Sequence, residues 1–441
     1  MQINKIKLLA FFLLVVTKNY AQEKKLLTLK EAVEIAATNS DAASLAKTKV
    51  ETSKLELEIT KNNRYPNVKA SGQYLRLSTA HVVSNLQTSN SSANAAPLKI
   101  DQLLLGQVTA SVPIFNGFKL KNSIVASENM YKAEAFNEKH SKEQIGLEVV
   151  ELFATLYKAQ QMTDLIQDNV KTAEQRVKDF TAMEANGLIA RNDLLKAQLQ
   201  QSNVQLSLDN ANKNTAIANY KLITLLKLPE NTKVDIDIEA IKRDMVTNQG
   251  NSEQGERNDL KALELKKQAA ESSIKIAKAN YYPSLSLTGG YIAFDLHNAL
   301  TVTNALNVGL GFSYDLSSFF KNGKQVKLAQ NKTKETAIVL TLMTNQIKEE
   351  VFQAQENYKL SVKQSLVYES AVEQANENYR IVKDKYENNL SDTNDLLEAD
   401  FQQLQAKINQ ALSKADVAQK YYELQFAKGT LTSSLNSTQK N

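Results

Sequence analysis

A stretch of 105 residues without glycine or proline, residues 324–428, constrains the fold of this chain more than any other feature. Within it, apolar and small side chains recur at alternating spacings of four and three residues, first over 347–386 and again over 397–422. A seven-residue repeat of this length is typical of helices that supercoil around neighbouring helices. The sequence therefore predicts helices much longer than the core of a compact domain requires.

The two runs of the repeat are separated by residues 387–395, with the sequence ENNLSDTND. Asparagine tolerates the left-handed backbone conformation that ends helices, and Ser or Asp caps the helix that follows. We therefore expect two antiparallel helices joined by a tight turn. The first, residues 324–387, would be about 95 Å long at ~1.5 Å per residue.

Composition agrees with an elongated, mainly helical protein, because only 5 Pro and 13 Gly occur in 441 residues and Trp is absent. The absence of Cys excludes disulfides and thiolate metal sites. The three histidines, His81, His140 and His297, are far apart, and no nucleophile–base pattern or phosphate-binding glycine loop occurs. We therefore predict no enzyme activity, no cofactor and no metal site.

Residues 1–21 have the features of a secretory signal peptide: two lysines, an apolar run too short to span a membrane, and a small residue at the end. The formal net charge of the whole chain is +5. Cleavage after Ala21 would remove three lysines and no acid, which lowers the charge to +2. The basic character therefore gives little support to a nucleic-acid partner, and none is predicted.

Four segments change to the two-residue period of a β-strand, at about 66–80, 103–116, 283–296 and 303–316. Each has one apolar and one polar face. The apolar set, which we expect to face lipid, is Val68, Tyr74, Val108, Val112, Leu285, Leu287, Tyr291, Val308 and Leu310.

The chain contains an internal repeat of helix, strand, strand, long helix, turn and helix. An offset of 217 places Pro66 and Tyr74 on Pro283 and Tyr291, and an offset of 202 places the segment after Gly187 on the segment after Asn389. The first repeat is predicted over 22–229, with an N-terminal helix at 28–63, a loop at 84–96 and a helical hairpin at 118–228. An equatorial connector covers 230–256, with a short helix near 238–243. The second repeat covers 257–429, with a hairpin at 322–428, and 430–441 is expected to be a disordered tail.

Four strands cannot close a barrel, and open strand edges are costly in lipid. Closure therefore requires several chains, and three would supply twelve strands, a number found in outer-membrane barrels. The N-terminal helix and the helix after Gly187 could stack end to end beside the long helix that precedes Gly187. Four helical columns per chain would then continue the barrel as a tube.

The duplicated order of these motifs resembles the TolC-like outer-membrane factor family across essentially the whole mature chain. The motifs that carry the resemblance are Tyr-Pro before the first strand of each pair, VPIFNG at 112–117, and Asn-Asp-Leu-Leu after both helix turns. The resemblance implies a trimer with a 12-stranded outer-membrane β-barrel and a long periplasmic α-helical barrel that narrows to a closable tip. It also implies two partners, a periplasmic adaptor (membrane fusion) protein and an inner-membrane transporter.

By position, the resemblance assigns Asp395 and Glu398 to the pore constriction and Asp193 and Tyr386 to contacts that close the tip. Ser391 stands where well-known members have Arg, so the closing network would be weaker or built differently. Asp193 and Asp395 also have a simpler explanation, because acids in the first turn of a helix are stabilised by the helix dipole.

The function that follows is an exit duct of a tripartite efflux pump or type I secretion system, passing small molecules or proteins to the exterior of a Gram-negative bacterium. The alternative is a structural or adaptor coiled-coil protein of the periplasm. Such an adaptor would have a compact β-domain with a buried core rather than strands with a lipid-facing stripe.

Overall fold

The computed structural model describes residues 24–81, 99–247, 255–297 and 299–436. The predicted signal peptide and the predicted loop at 84–96 lie outside these residues. The strands are β1 Lys24–Leu26, β2 Asn67–His81, β3 Lys99–Phe115, β4 Lys233–Asp235, β5 Ser284–Leu296 and β6 Leu300–Ser313. The helices are α1 Leu29–Asn39, α2 Asp41–Asn62, α3 Lys119–Ala185, α4 Arg191–Leu226, α5 Ile238–Thr247, α6 Asn258–Ala279, α7 Ser318–Glu387, α8 Thr393–Ala427 and α9 Leu431–Asn436.

The chain divides into two compact units. One unit comprises Thr48–Phe136 and Leu260–Leu342 and contains the four long strands. The other comprises Met1–Lys47, Asn137–Asp259 and Met343–Asn441 and contains both helix turns. Each unit contains residues of both sequence repeats. The long helices α3 and α7 each run from one unit into the other.

The four long strands form one antiparallel sheet in the order β2-β3-β5-β6. The partner of Val68 across β2 and β3 is Ala110, and the partner of Leu287 across β5 and β6 is Leu310. The central pair β3 and β5 joins the two repeats, with Val108 opposite Tyr291. Strands β2 and β6 are the outer strands of this sheet, and each has one edge with no partner strand among the described residues.

The register places all nine of the predicted apolar residues on one face of the sheet. Residues that are directly paired in antiparallel strands share a face, and side chains alternate along each strand. This face is exposed: Leu306 and Val308 are 82% and 83% accessible, and Leu310 and Phe312 are 68% and 71% accessible. The opposite face carries Ser, Thr, Gln, Asn and Gly at the end of the sheet that joins the helices. Toward the other end it becomes apolar, where Leu105 pairs with Phe294. The sheet therefore has no apolar core of its own on this exposed side.

The turn from β3 into α3 requires glycine. Gly117 has φ +64°, and a Cβ at this position would lie 2.6 Å from the carbonyl oxygen of Ala279 and 3.0 Å from the Cβ of Tyr282. Phe118 also has a positive φ, and Phe115 packs edge-on against both Phe118 and Tyr282. This close approach joins the end of β3 to the junction of α6 and β5.

The helical unit has its main core where α1, α3, α4, α5 and α8 meet. Phe153, Leu156, Leu222 and Tyr422 are almost fully buried in it. The predicted connector takes part: β4 pairs in parallel with β1, and Val234, Ile236, Ile238, Ile241 and Met245 are buried in the same core. The alternation of apolar residues at 234, 236 and 238 is the sequence signal for this ordered segment.

Two sequence predictions in this unit need correction. The N-terminal helix is not continuous over 28–63, because Ser40 adopts an extended conformation and its hydroxyl caps α2 by accepting from the N–H of Ala43. The tail is not disordered over α9, because Leu431 and Leu435 are buried in the main core. The remaining residues of the predicted tail, 437–441, lie outside the described part of the chain.

Three elements begin earlier in the structure than the sequence predicted. Helix α7 begins at Ser318 and continues through Gly323, earlier than predicted, because Asp315 accepts hydrogen bonds from the N–H and hydroxyl of Ser317 at its start. Strands β3 and β6 begin at Lys99 and Leu300, a few residues before the predicted starts. Among the described helices, none has an apolar stretch long enough to cross a bilayer.

We expect Gly117→Ala to destabilise the protein by about 2–4 kcal/mol, because the new Cβ adds a steric clash to the cost of the left-handed conformation. Gly187→Ala is the matched control. It has φ +69° but no atom within 4 Å of the added Cβ, so it should cost only about 1 kcal/mol. The midpoints of chemical unfolding measure both changes. Equal shifts would show that the contact with Ala279 is unimportant.

Candidate functional site at the two helix turns

The two helix turns have the same backbone structure, as the sequence repeat predicts. Gly187 ends α3 with φ +69°, and Asn389 ends α7 with φ +58°. The two turns also share a side-chain hydrogen bond. Asn186 and Asn388 each donate from the side-chain amide to the backbone carbonyl four residues earlier, at 2.7 Å. Asparagine at 389 therefore replaces glycine without changing the turn.

The carboxylates predicted for the constriction lie at the start of α8. Asp392 caps this helix by accepting from the N–H of Asp395 at 3.0 Å. Ser391 donates a hydrogen bond to Asp395 Oδ2 at 2.7 Å. Asp395 and Glu398 are both exposed, whereas Leu396 and Ala399 are buried. The two acids therefore point away from the packed side of α8 and share one exposed face.

Asp193 and Tyr386 have different neighbours within one chain. Asp193 lies 3.6 Å from the ammonium group of Lys196, one turn further along α4. The ring of Tyr386 stacks on Phe180, with 6.0 Å between ring centroids and an interplanar angle of 20°. Among the described residues of a single chain, no hydrogen bond joins Asp193 to Tyr386. The aromatic contact therefore links α7 to α3 near the turns.

A small apolar cluster holds the two turns together. Phe180, Leu194 and Ala197 are buried in it, and Tyr386 and Met183 pack against it. The cluster contains residues of α3, α4 and α7, so it connects the turn of the first repeat with the turn of the second. Burial of this apolar surface stabilises the arrangement by the hydrophobic effect.

A buried ion pair lies beside this cluster. Arg176 Nη1 on α3 donates to Asp400 Oδ2 on α8 at 2.9 Å, and their side chains are only 8% and 7% exposed. Burial by itself lowers the pKa of Arg176, but the Asp400 carboxylate and the nearby Tyr379 outweigh it, so the pKa is raised. Arg176 therefore remains charged at any physiological pH. The pair joins the two repeats within this helical region.

Sequence analysis did not identify this pair, although a signal was present. Asp400 lies three and four residues after Leu397 and Leu396, and Arg176 lies three residues after Ala173 and four before Phe180. These are the spacings of one helix face. A charged residue on an otherwise apolar face indicates a buried partner of opposite charge.

A second polar cluster lies elsewhere in the helical unit. Arg257 forms a bidentate contact with Asp259 at 3.1 and 2.7 Å and also binds Glu350 at 2.5 Å. The two ring nitrogens of His140 lie 3.9 Å from the carboxylates of Glu143 and Asp259. Burial lowers the pKa of His140 and raises the pKa of Glu143. No group of His, Asp and Glu among the described residues suits a metal ion.

Comparison with protein families gives one match. The family described as Outer membrane efflux protein matches residues 32–226 and 251–430, which together are most of the chain. The two matched segments correspond to the two sequence repeats. Nothing matches among the curated proteins.

Solved structures of outer-membrane channels have the same fold. The outer membrane protein VceC of Vibrio cholerae is 15% identical, with a TM-score of 0.73 over 91% of this chain and 96% of VceC. The CmeC outer membrane channel of Campylobacter jejuni is 18% identical, with a TM-score of 0.75 over 91% of this chain and 86% of CmeC. The MtrE outer membrane channel of Neisseria gonorrhoeae, in its open state, is 17% identical, with a TM-score of 0.72 over 91% of this chain and 89% of MtrE.

We expect Arg176→Met to destabilise the helical unit by about 3–5 kcal/mol, because it leaves the Asp400 carboxylate buried without its partner. The double variant Arg176→Met with Asp400→Leu removes both charges and should recover most of this loss. Lys171→Met is the control, since its contact with Asp168 is exposed. Unfolding midpoints of the four proteins give the comparison. A double variant no more stable than the single one would contradict a role as a charge pair.

Proposed function

Because this chain belongs to the outer membrane efflux protein family, we propose that three copies of it close into one exit channel for an efflux pump. Members of this family are channels of the outer membrane of Gram-negative bacteria, and this chain is a channel subunit rather than an enzyme. The observation that carries the proposal is the four-stranded sheet with two unpaired edges and one exposed apolar face.

The unpaired edges support a closed assembly. Hydrogen-bonding groups on a strand edge must be paired inside a membrane, and only closed barrels achieve this with β-strands. Strand β6 of one copy can pair with strand β2 of the next, since these are the two outer strands. With four strands from each copy, three copies give a barrel of twelve, inside the range known for outer-membrane proteins.

The exposed apolar face supports contact with lipid. Val68, Val308 and Leu310 are each at least 66% exposed in the single chain and share that face. An adaptor protein with a compact β-domain would bury such residues, so the structure favours the channel over the adaptor alternative. The polar face, with Ser286, Thr288 and Gly309, would then line the lumen.

We predict that Leu287→Arg impairs assembly, because arginine on the lipid face costs free energy in every copy, about 2–4 kcal/mol at the bilayer midplane and less near the interfaces. Ser286→Arg is the matched control. It adds the same side chain one residue away, on the polar face, and should assemble. Heat-stable oligomers on semi-native gels and membrane fractionation measure this difference. Equal assembly of both variants would show that the faces are assigned wrongly.

The exposed acids at the start of α8 support a cation-selective constriction. Asp395 and Glu398 lie three residues apart on one exposed helix face. If the α8 helices of three copies surround the axis, these residues form two stacked rings of three carboxylates each. Rings of acids attract cations and repel anions in a narrow pore.

Closure of the tip is proposed to depend on the contacts around the two turns. Within one chain these are the Phe180–Tyr386 stack and the Arg176–Asp400 pair. Ser391, at the position where well-known members of the family have arginine, donates a hydrogen bond to Asp395 instead. A role for Asp193 in closure would require a partner other than Tyr386 of the same chain.

We predict that Asp395→Asn combined with Glu398→Gln lowers cation selectivity and weakens block by multivalent cations. Amides keep the size and the hydrogen-bonding capacity of the acids while removing their charge. Reversal potentials in planar bilayers provide the measurement, and Glu373→Gln, which neutralises an exposed acid on α7 away from the turn, is the control. Unchanged selectivity in the double variant would mean that these acids only stabilise the start of the helix.

The partners follow from the same assignment. We propose that the helical unit docks a periplasmic adaptor and, through it, an inner-membrane transporter that supplies the energy. The channel itself is passive. Whether the cargo is a small molecule or a protein is decided by that transporter, because a wide polar lumen imposes little recognition. Co-purification of the tagged chain with an adaptor and a transporter, compared with the Leu287→Arg variant, tests this proposal.

A further inference from the structure

The polar face of the sheet changes its character along the strands. Directly paired residues share a face, so the register divides this face into rows with one residue from each strand. The first row that spans all four strands, at the end joined to the helices, consists of Asn67, Ser111, Thr288 and Gly309. The last such row, at the far end, consists of Leu75, Leu103, Leu296 and Leu300. A polar surface therefore ends in a row of four leucines.

The row beside these leucines is also largely apolar. It consists of Gln73, Leu105, Phe294 and Val302. We call the apolar residues of these two rows the leucine collar, which comprises Leu75, Leu103, Leu105, Phe294, Leu296, Leu300 and Val302. Leu75 and Leu300 are 39% and 52% exposed in the single chain. The collar residues on the two outer strands therefore remain accessible.

The opposite face of the sheet changes in the inverse sense at the same level. Along β3 it is apolar from Val112 to Leu104, which is roughly 26 Å of strand. At a strand tilt of about 40° this gives roughly 20 Å of height, close to the apolar band of about 25 Å in outer-membrane barrels. At and beyond the level of Leu104 the outward face becomes polar, because Arg76 pairs with Gln102 and Asp295 pairs with Thr301. Lipid against the outward face therefore cannot reach the collar.

In the proposed trimer the collar faces the lumen, and the inference rests on that proposed function. Twelve strands spaced about 4.8 Å apart and tilted by about 40° give a barrel roughly 24 Å across its backbone. Two sheets whose side chains fill the space between them lie only about 10 Å apart. The collars of the three copies therefore cannot meet across the lumen. The last row, with four leucines from each copy, borders a water-filled space.

Strand pairing alone does not explain this composition. Cross-strand pairs of Ser or Thr also stabilise a sheet, and the rows nearer the helices contain them, as in Ser111 opposite Thr288. Apolar side chains exposed to water are unfavourable, and a contiguous apolar patch marks a site of contact with another apolar molecule. Since neither lipid nor the collars of the other copies reach this patch, we expect its occupant to be a solute in the lumen.

We propose that the leucine collar binds the apolar body of small amphiphiles as they leave the channel. The chemistry of the head group follows from the rows that the solute passes first. Lys69 is the only charged residue in the rows that span all four strands. Three copies therefore place lysines and no acid on this wall, which favours a neutral or negative head over a cationic one. The collar adds this preference at the exit, whereas the transporter still selects the cargo.

Tryptophan fluorescence tests the proposal, because the chain contains no tryptophan and an introduced one is the only reporter. Phe294→Trp places it in the collar, and Thr288→Trp is the matched reporter on the polar part of the same face and strand. The assembled full-length protein is measured in lipid nanodiscs, with octanoate as the probe. Octanoate should shift the emission of Phe294→Trp to shorter wavelengths in a saturable manner, and acetate should not. Thr288→Trp should respond to neither.

The apolar body of the probe should determine the affinity. Each CH₂ group changes the affinity by up to about fourfold, so octanoate should bind about tenfold more tightly than hexanoate. In the Phe294→Trp background, Leu103→Ser should weaken octanoate binding about fivefold, because part of an apolar contact is lost. Leu104→Ser is the matched control and should leave the affinity unchanged, since it lies one residue away on the outward face. Equal affinities for hexanoate and octanoate would overturn the proposal even if Leu103→Ser failed to assemble.

Brominated lipid in the nanodiscs separates the other occupants of the collar from a failure of the proposed function. It should quench a reporter on the outward face, Leu287→Trp, and leave Phe294→Trp unquenched. If Leu287→Trp is not quenched, the outward face does not contact lipid and the proposed channel itself is wrong.

Three results would overturn the collar site alone. Quenching of both reporters would mean that lipid covers the collar. An emission of Phe294→Trp that lies at short wavelength without octanoate and does not respond to it would mean that the protein itself covers the collar. A reporter that is exposed to water and does not respond to octanoate would mean that the collar binds no amphiphile.

Discussion

The unpaired edges of the four-stranded sheet are the constraint on which the rest of this structure depends. Strands β2 and β6 each leave one row of N–H and C=O groups without a partner strand among the described residues. The same sheet exposes Leu306, Val308 and Phe312 to solvent on one face. In water these features would cause aggregation, and in lipid an open edge is not tolerated. Both problems disappear when copies of the chain close the sheet into a barrel.

The helices supply the buried apolar core that the sheet lacks. The sheet has little apolar core, so the stability of the single chain comes chiefly from the helical unit, where Phe153, Leu222 and Tyr422 are buried. The Arg176–Asp400 pair and the stack of Tyr386 on Phe180 connect the two sequence repeats near their turns. These contacts are few and local. In the proposed function these contacts would be exchanged when the tip opens, whereas the main core would remain fixed.

Much of this fold follows from the sequence because its periods are long and distinct. The seven-residue repeat predicted α7 and α8, and the two-residue period predicted all four long strands and their shared apolar face. The break at Ser40 was missed because a single serine hydroxyl makes it. The short helix of the connector was predicted, but strand β4 and helix α9 were missed because they depend on tertiary pairing and on burial of Val234 and Leu431. The Arg176–Asp400 pair joins residues 224 positions apart. The local pattern marks each residue as a charge on an apolar helix face, but it does not say which residue is the partner.

The central claim is that three identical chains close one barrel, and the mass of the assembly tests it most directly. Native mass spectrometry of the detergent-extracted protein should give three copies of the mature chain and no folded single copy. A stable monomer that keeps all four strands protected from hydrogen exchange would contradict the account, because the edges of β2 and β6 would then need no partner. Such a result would leave the helical fold unchanged but remove the physical basis for a closed exit channel.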